Sequence, residues 1–171
     1  SHRDKKNITP SSLSYFFFLV YILKNSVDIN AKDPNRATAL HIAIKKHDFE
    51  LMCFLIEKGA DIHAKYKNGE TPLHIAIEER NFKAISFLIE KGADINAKDQ
   101  NGETPLFYAI EFCGFEIISF LIENGSDVNA KDNVSRTPIF FIYQNKNPLK
   151  TFKLLRDAGA KLNTKEKRGA T

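Results

Sequence analysis

Four stretches that share one pattern decide the fold of this chain: Thr38-Ala39-Leu40-His41, Thr71-Pro72-Leu73-His74, Thr104-Pro105-Leu106-Phe107 and Thr137-Pro138-Ile139-Phe140. Each begins 33 residues after the one before it. A second motif keeps the same phase, as Asp28-Ile29-Asn30-Ala31-Lys32, Asp61-Ile62-His63-Ala64-Lys65, Asp94-Ile95-Asn96-Ala97-Lys98 and Asp127-Val128-Asn129-Ala130-Lys131. Self-similarity at a period of this size is the signature of a repeat protein, in which one supersecondary unit recurs.

The stretch from Thr71 to Gly102 predicts what one unit forms. Thr71 suits a helix N-cap, and Pro72 suits the first helical position, where a missing N–H costs nothing. From Phe82 to Glu90, apolar residues recur at the spacing of one helical face, and Gly92 supplies a left-handed residue to end the helix. Asn101-Gly102 marks a tight turn. Each unit should therefore contain a short helix, a turn, a longer helix and an extended hairpin.

The repeated unit resembles the ankyrin repeat, which has the same Thr-Pro-Leu-His opening and the same length. The resemblance covers residues 11–171 and implies an all-α solenoid, in which stacked helix-turn-helix units are joined by β-hairpin loops. One helical pair cannot bury its apolar face alone, so neighbouring units must share a core. In this family, the histidine found here at His41 and His74 bonds the Thr and nearby loops, which implies a structural role rather than a metal site.

The spacing of the motifs predicts the division of the chain. We expect residues 1–10 to be a disordered leader or tag remnant and residues 11–32 to be an N-terminal partial repeat. Ankyrin repeats follow at 33–65, 66–98, 99–131 and 132–165, called units 1 to 4 below, and residues 166–171 begin a truncated repeat. Unit 4 carries one extra residue, which we place near Asn145-Lys146-Asn147-Pro148, between its helices.

Bulky residues also set units 3 and 4 apart from units 1 and 2. Phe107-Tyr108-Ala109-Ile110 and Phe140-Phe141-Ile142-Tyr143 stand where the family commonly has small residues. We expect them to spread helices, to change the local curvature or to leave apolar surface exposed.

Nothing in the sequence indicates catalysis. It contains no glycine-rich phosphate loop, zinc-ligand spacing or hydrolase motif, so we expect no enzyme, metal or small-molecule cofactor. Cys53 lies in mid-helix, whereas Cys113 lies in a turn beside Gly114, where its thiol could reach solvent. Such sparse cysteine usage fits an intracellular protein. The longest apolar run, Tyr15 to Leu23, is too short to insert into a membrane.

The resemblance implies a protein partner held by the concave surface of hairpin tips and first helices. By position the candidates are Pro34, Asn35, Ala37, Lys45, Lys46, Tyr66, Lys67, Glu70, Glu78, Glu79, Gln100, Glu103, Glu111, Phe112, Asn133, Val134, Arg136, Gln144 and Asn145. Tyr66 and Phe112 stand out, because an aromatic residue on a polar surface is the usual form of an interface anchor. Packing of Phe112 against Phe115 is the alternative. We predict that Tyr66→Ala and Phe112→Ala weaken binding with little change in thermal stability.

Charge supports a second hypothesis. Residues 99–131 carry a net charge of −5 and residues 132–171 one of +6, and a basic end attracts acidic partners. A nucleic-acid or acidic-polymer binder would lose affinity steeply with salt. One lysine recurs in each unit, at Lys32, Lys65, Lys98, Lys131 and Lys165, but a solvated, paired row is the commoner form of such a pattern.

The leading interpretation is a monomeric, non-catalytic protein-binding scaffold, and a structural spacer in a larger protein is a third hypothesis. The composition, rich in Lys, Asn, Ile and Phe, is similar to that of ankyrin proteins of pathogens. Action on host partners is therefore a further expectation.

Overall fold

The computed structural model of the chain describes residues 28–162. Within them lie α1 (Ala39–Lys45), α2 (Phe49–Glu57), α3 (Pro72–Glu78), α4 (Phe82–Glu90), α5 (Pro105–Phe112), α6 (Phe115–Glu123), a 3-10 helix (Pro138–Gln144) and α7 (Pro148–Asp157). Each unit supplies two of these helices, and none of the described residues forms a strand. The expectations for residues 1–10, for most of 11–32 and for 166–171 lie outside the described residues.

The helix ends follow the sequence signals. Thr71 is the N-cap of α3, with Pro72 at the first helical position, and Thr104 and Pro105 do the same for α5. After α4, Gly92 takes a φ of +89°, a conformation that costs glycine little because it has no Cβ. The predicted start of the first helix of unit 2 at Thr71-Pro72 and its predicted second helix, Phe82 to Glu90, are confirmed.

The connecting hairpins are tight turns, too short for a strand ladder. In unit 3 the Asp99 N–H donates to the Glu103 carbonyl at 3.0 Å. The Asp99 carboxylate accepts two further backbone bonds, from Asn101 at 2.9 Å and from Glu103 at 2.8 Å. An aspartate that bonds its own backbone in this way stabilises the turn locally.

The core is shared between units, as the repeat pattern predicts. The first helices pack on one another in the order α1, α3, α5 and 3-10 helix. Each second helix of units 1 to 3 adds two large side chains that are fully buried: Met52 and Leu55, Ile85 and Leu88, and Ile118 and Leu121. Phe82, on the predicted apolar face of α4, instead stays 48% exposed, with its ring 5.1 Å from that of Phe120.

The asparagine of the motif Asp-Ile-Asn-Ala-Lys, or Asp-Val-Asn-Ala-Lys, joins its unit to the next one through its side chain. Asn96 donates to the Gly125 carbonyl at 3.1 Å and accepts the Asp127 N–H at 2.8 Å. Asn30 makes the same pair of bonds to Gly59 and Asp61 of unit 1, and Asn129 makes them to Gly159 and Lys161 of unit 4. At the junction of units 1 and 2 this position is His63, which makes neither bond within residues 28–162.

The hairpin tips of units 2, 3 and 4 are joined through their backbones. Gln100 N–H donates to Asn68 O at 2.9 Å, and Asn133 N–H donates to Asn101 O at 2.8 Å. Gly102 permits the second contact, since a Cβ there would lie 2.8 Å from the Asn133 nitrogen. Arg36 holds the equivalent left-handed position in unit 1, with a φ of 65°. No such bond joins the tips of units 1 and 2 among the residues described.

Unit 4 departs from the other units in both of its helices. The predicted place of its extra residue is wrong: α7 starts 33 residues after α6 but has 10 residues instead of 9. Its two buried positions, Thr151 and Leu155, are four residues apart, against three for Ile118 and Leu121 in α6. The extra residue therefore lies inside α7, between these two positions.

The predicted irregularity of the bulky units is confirmed in unit 4. Its first helix is a 3-10 helix, a form that is seldom kept over more than a few residues because its hydrogen bonds are poorer. Tyr143 is 74% exposed there, although Ile44, Ile77 and Ile110 are buried at the same repeat position.

Candidate functional site

One row of exposed side chains runs along the first helices at a single repeat position. The row, called the binding row below, consists of Lys45, Glu78, Glu111 and Gln144. In units 1 to 3 the residue just before it is an isoleucine with at most 1% exposure. The identity of the exposed residue can therefore vary without disturbing the stack.

Tyr66 forms an aromatic and cationic cluster beside the first end of this row. Its ring stacks on His41 at 5.5 Å between centroids. The Lys45 ammonium lies 4.7 Å and the Lys67 ammonium 5.7 Å from the centre of the Tyr66 ring. Tyr66 is half-buried, so one side of it packs and the rest remains available for contact.

The middle of the surface is acidic and centred on Tyr108. The Tyr108 hydroxyl lies 3.0 Å from Asp99 Oδ2 and 3.3 Å from Glu70 Oε1. One phenol proton serves one acceptor at a time, and the shorter distance favours donation to Asp99. Burial, together with the charges of Asp99 and Glu70, raises the pKa of the Tyr108 hydroxyl, which therefore remains a proton donor at neutral pH.

Carboxylates crowd one another around this centre. Burial and the charge of Glu78 raise the pKa of Glu70. Burial and the charges of Asp99 and Asp132 raise the pKa of Glu103. Burial and nearby like charges both disfavour the ionised forms of Glu70 and Glu103, so a cation placed beside these carboxyl groups would be stabilised.

Arg136 and Gln144 close the surface on the side of unit 4. Arg136 Nε donates to Asp132 Oδ2 at 2.7 Å, and its guanidinium carbon lies 4.7 Å from the ring centre of Phe141. Its Nη2 is 4.0 Å from a Glu103 oxygen. Gln144 is exposed and donates to the Tyr143 hydroxyl at 3.2 Å.

The other predicted anchors lie at the last turn of the first helices. Lys46 and Glu79 are the C-caps of α1 and α3, and Glu79 lies 3.6 Å from the exposed His47. Phe112 is half-buried, packs against the core, and lies 6.0 Å from the Tyr108 ring. Phe112→Ala should therefore cost stability as well, which corrects the expectation that it would not.

Three of the residues assigned to the surface by position are in fact buried. Glu70 is 7% exposed, Ala37 7% and Asn145 6%. Asn145 donates to the carbonyls of Ile110 and Cys113 at 2.8 and 3.1 Å, and it accepts from Thr151 Oγ1 at 3.0 Å. It is a structural clamp between units 3 and 4.

Sequence reasoning missed the role of Tyr108 and of Asp99. Tyr108 occupies the helix position that holds Ile42 in unit 1 and Ile75 in unit 2. A hydroxyl at an otherwise apolar position, one unit after Glu70, was the available signal, because a buried phenol needs a hydrogen-bond partner.

His41 and His74 have the structural role that the resemblance implies. His74 Nε2 lies 3.2 Å from the Glu103 carbonyl, so Nε2 carries the proton. Nδ1 is then free to accept from the Thr71 hydroxyl at 2.8 Å and from the Thr71 N–H at 3.2 Å. Burial lowers the pKa of both histidines to about 4. Residues 28–162 contain no group of three His, Cys, Asp or Glu side chains placed to hold a metal.

The cysteines are poorly suited to nucleophilic chemistry. Cys113 is buried, contrary to the expected exposure of its turn, and Sγ donates to the Ile77 carbonyl at 3.3 Å. Burial raises the pKa of the Cys113 thiol to about 11 and also raises that of Cys53. The reactive thiolate is therefore scarce at neutral pH.

The side chains of the lysine row bond the backbone of the neighbouring unit. Lys65 Nζ donates to the Lys98 carbonyl at 2.7 Å, and Lys98 Nζ to the Lys131 carbonyl at 2.8 Å. Lys32 does the same toward Lys65 at 3.2 Å, whereas Lys165 lies outside the described residues. The predicted pairing with acidic side chains is replaced by bonds to the backbone of the next unit.

No helix among residues 28–162 combines the length and the apolar character that crossing a membrane requires.

No curated protein matches the chain. A family model described as ankyrin repeats in three copies matches residues 13–99 and 98–166. The two matches cover most of the sequence and coincide with the stacked units, so the chain belongs to the ankyrin-repeat family.

Proposed function

We propose that this protein is a non-catalytic scaffold that binds a protein partner along the face made by its hairpins and first helices. The binding row carries the proposal, because Lys45, Glu78, Glu111 and Gln144 are exposed in phase while the residues around them maintain the core. Ankyrin repeats generally act as protein-interaction scaffolds, which supports the same conclusion.

The charge along this face favours a partner that presents Lys or Arg at its centre. Glu78 and Glu111 are exposed and make the middle of the binding row acidic. Behind them lie Glu70 and Glu103, whose pKa values are raised by burial and by neighbouring carboxylates. An incoming cation would relieve the repulsion among these carboxylates. Tyr66 supplies an adjacent aromatic surface of the type that dominates binding energy in interfaces.

The test is affinity capture from host-cell extract with matched charge reversals. Glu78→Lys combined with Glu111→Lys should remove a captured protein that the unaltered chain retains. Glu57→Lys combined with Glu90→Lys changes the net charge equally on second helices and should leave capture intact. Purified partner and calorimetry then give the dissociation constants, and equal loss with both pairs would exclude this face.

Tyr66→Ala refines the test because it removes an aromatic surface without changing charge. We expect weaker binding together with some loss of thermal stability, because Tyr66 also stacks on His41 and packs against the core. The Lys-, Asn-, Ile- and Phe-rich composition supports the finer proposal of a pathogen protein acting on host partners. If no protein in the extract needs Glu78 and Glu111 for capture, the proposal of a host partner on this face is contradicted.

A further inference from the structure

A second surface lies at the turn that leads into α7, apart from the binding row. Its lining residues form an open groove of about 360 Å³, called the lysine groove below: Lys146, Asn147, Pro148, Leu149, Lys150 and Lys153. All six side chains are exposed.

The buried Asn145 side chain holds this turn in place. Besides its bonds to α5, Asn145 Oδ1 accepts from the Asn147 N–H at 3.0 Å and from Thr151 Oγ1 at 3.0 Å. The groove is therefore fixed to unit 3 on one side and to α7 on the other. A preformed shape lowers the entropy cost of binding.

The groove is positively charged and has no acidic lining residue. Lys146, Lys150 and Lys153 form no ion pair within 4.0 Å in the part of the chain that is described. Lys150 Nζ lies 3.8 Å from the ring centre of Phe115, which restricts where its charge can point.

An apolar side chain stands among these charges. Leu149 is 68% exposed and follows the first residue of α7, where α2, α4 and α6 have Glu50, Lys83 and Glu116. With Pro148 it forms an apolar floor between lysines. Exposed apolar surface rimmed by polar groups marks contact sites.

We propose that the lysine groove binds an acidic segment of a partner protein, with one apolar side chain of that segment packed on Leu149 and Pro148. The carboxylates of the segment pair with Lys146, Lys150 and Lys153. A concave surface with an apolar floor fits a side chain better than it fits a flat membrane or a regular phosphate backbone. This surface goes beyond the binding row and has the opposite charge.

The experiment is a fluorescence-anisotropy titration of the full chain with a labelled peptide of about twelve residues, Asp and Glu around one Leu. Lys150→Glu combined with Lys153→Glu should raise the dissociation constant about tenfold or more. Lys58→Glu combined with Lys91→Glu is the control, since it changes the net charge equally at the C-caps of α2 and α4. The control pair should change the affinity far less.

Leu149→Ser tests the apolar contact. It should weaken the leucine peptide about fivefold and remove its advantage over the same peptide with Ser in place of Leu. Equal losses for the two charge-reversal pairs, or no advantage of the leucine peptide, would overturn the proposal. So would tighter groove-dependent binding of phosphatidylserine–phosphatidylcholine vesicles or of polyuridylate. The binding row is tested through Glu78 and Glu111, so either proposal can fail alone.

Discussion

Units 2 and 3 open their first helices with the same Thr-Pro-Leu sequence, yet the two openings are bonded differently. In unit 2, His74 accepts two bonds from Thr71 and reaches the hairpin of unit 3. In unit 3, Phe107 stands in that place and the buried Thr104 hydroxyl has no partner within the described residues. The Phe107 ring instead meets Phe141 of unit 4 at 5.4 Å.

The second half of the stack replaces these bonds with others that do not follow the repeat. The Tyr108 hydroxyl donates to Asp99 and lies close to Glu70, and Asn145 bonds four groups at the end of α5 and the start of α7. The comparison shows that one motif can keep a helix start while different side chains hold neighbouring units together.

A fall in pH should produce the largest difference in stability between units 1 and 2 and units 3 and 4. His41 and His74 are neutral in the folded chain because burial lowers their pKa from 6.5 to about 4. Their contribution to stability is complete above pH 6.5 and is lost as the pH falls toward 4. The loss is about 2 kcal/mol for each histidine near about pH 5. Glu70 and Glu103 act in the opposite sense because their pKa values are raised.

Hydrogen exchange at neutral and acidic pH, corrected for the intrinsic rates, measures this effect. Amides of α1 and α3 should lose more protection than those of α5 and α6. Uniform loss across the four helices would contradict the assignment to the histidines.

Asn145→Ala should produce the next largest effect, in the other half. It removes four hydrogen bonds and leaves the carbonyls of Ile110 and Cys113 without this donor. We expect a loss of about 3 kcal/mol in the free energy of unfolding in urea. The exposed neighbour provides the control: Gln144→Ala should change it by less than about 0.5 kcal/mol. Similar losses for both variants would remove Asn145 from its role as a clamp.

A matched pair of valine substitutions compares the two helix starts directly. Thr71→Val loses the bond to His74 and should cost about 1–2 kcal/mol. Thr104→Val removes a hydroxyl that has no partner among residues 28–162. It should be neutral within about 0.5 kcal/mol or slightly stabilising. Thermal unfolding of both variants measures these two changes in stability. An equal loss of stability would show that the Thr104 hydroxyl has a hydrogen-bond partner in solution.

His63→Asn should have the smallest effect, and a favourable one. It offers the junction of units 1 and 2 the two bonds that Asn96 makes to Gly125 and Asp127 at the junction of units 2 and 3. A gain of about 1 kcal/mol is expected from calorimetric unfolding. His63→Ala should give no such gain, and an equal gain from Ala would mean that the asparagine bonds are not the cause.

The repeat itself was predictable because its signals are local. A Thr-Pro pair, a glycine and an Asn-Gly turn each act within a few residues, and the 33-residue period repeats each of these signals along the chain. The helices of units 1 to 3 follow from these signals, whereas the structural role of His41 and His74 was implied by the resemblance to the ankyrin repeat.

The candidate surface was only partly predictable, since exposure depends on the neighbouring unit. Positions 45, 78 and 111 are exposed as expected, whereas Glu70, Asn145 and Cys113 are covered by groups from other units. Assigning exposure by repeat position treats equivalent residues alike. The buried Glu70 lies beside the Tyr108 hydroxyl of the next unit, and the buried Asn145 bonds a carbonyl of α5.

The amino-acid sequence alone predicted the 33-residue period and the helix-turn-helix unit, because short-range propensities and the repeat carry that information. Only the tertiary structure showed where unit 4 accommodates its extra residue, that its first helix is a 3-10 helix, and which polar side chains are buried. These features depend on the packing of side chains from different units, and such packing has no signature in any one stretch of sequence.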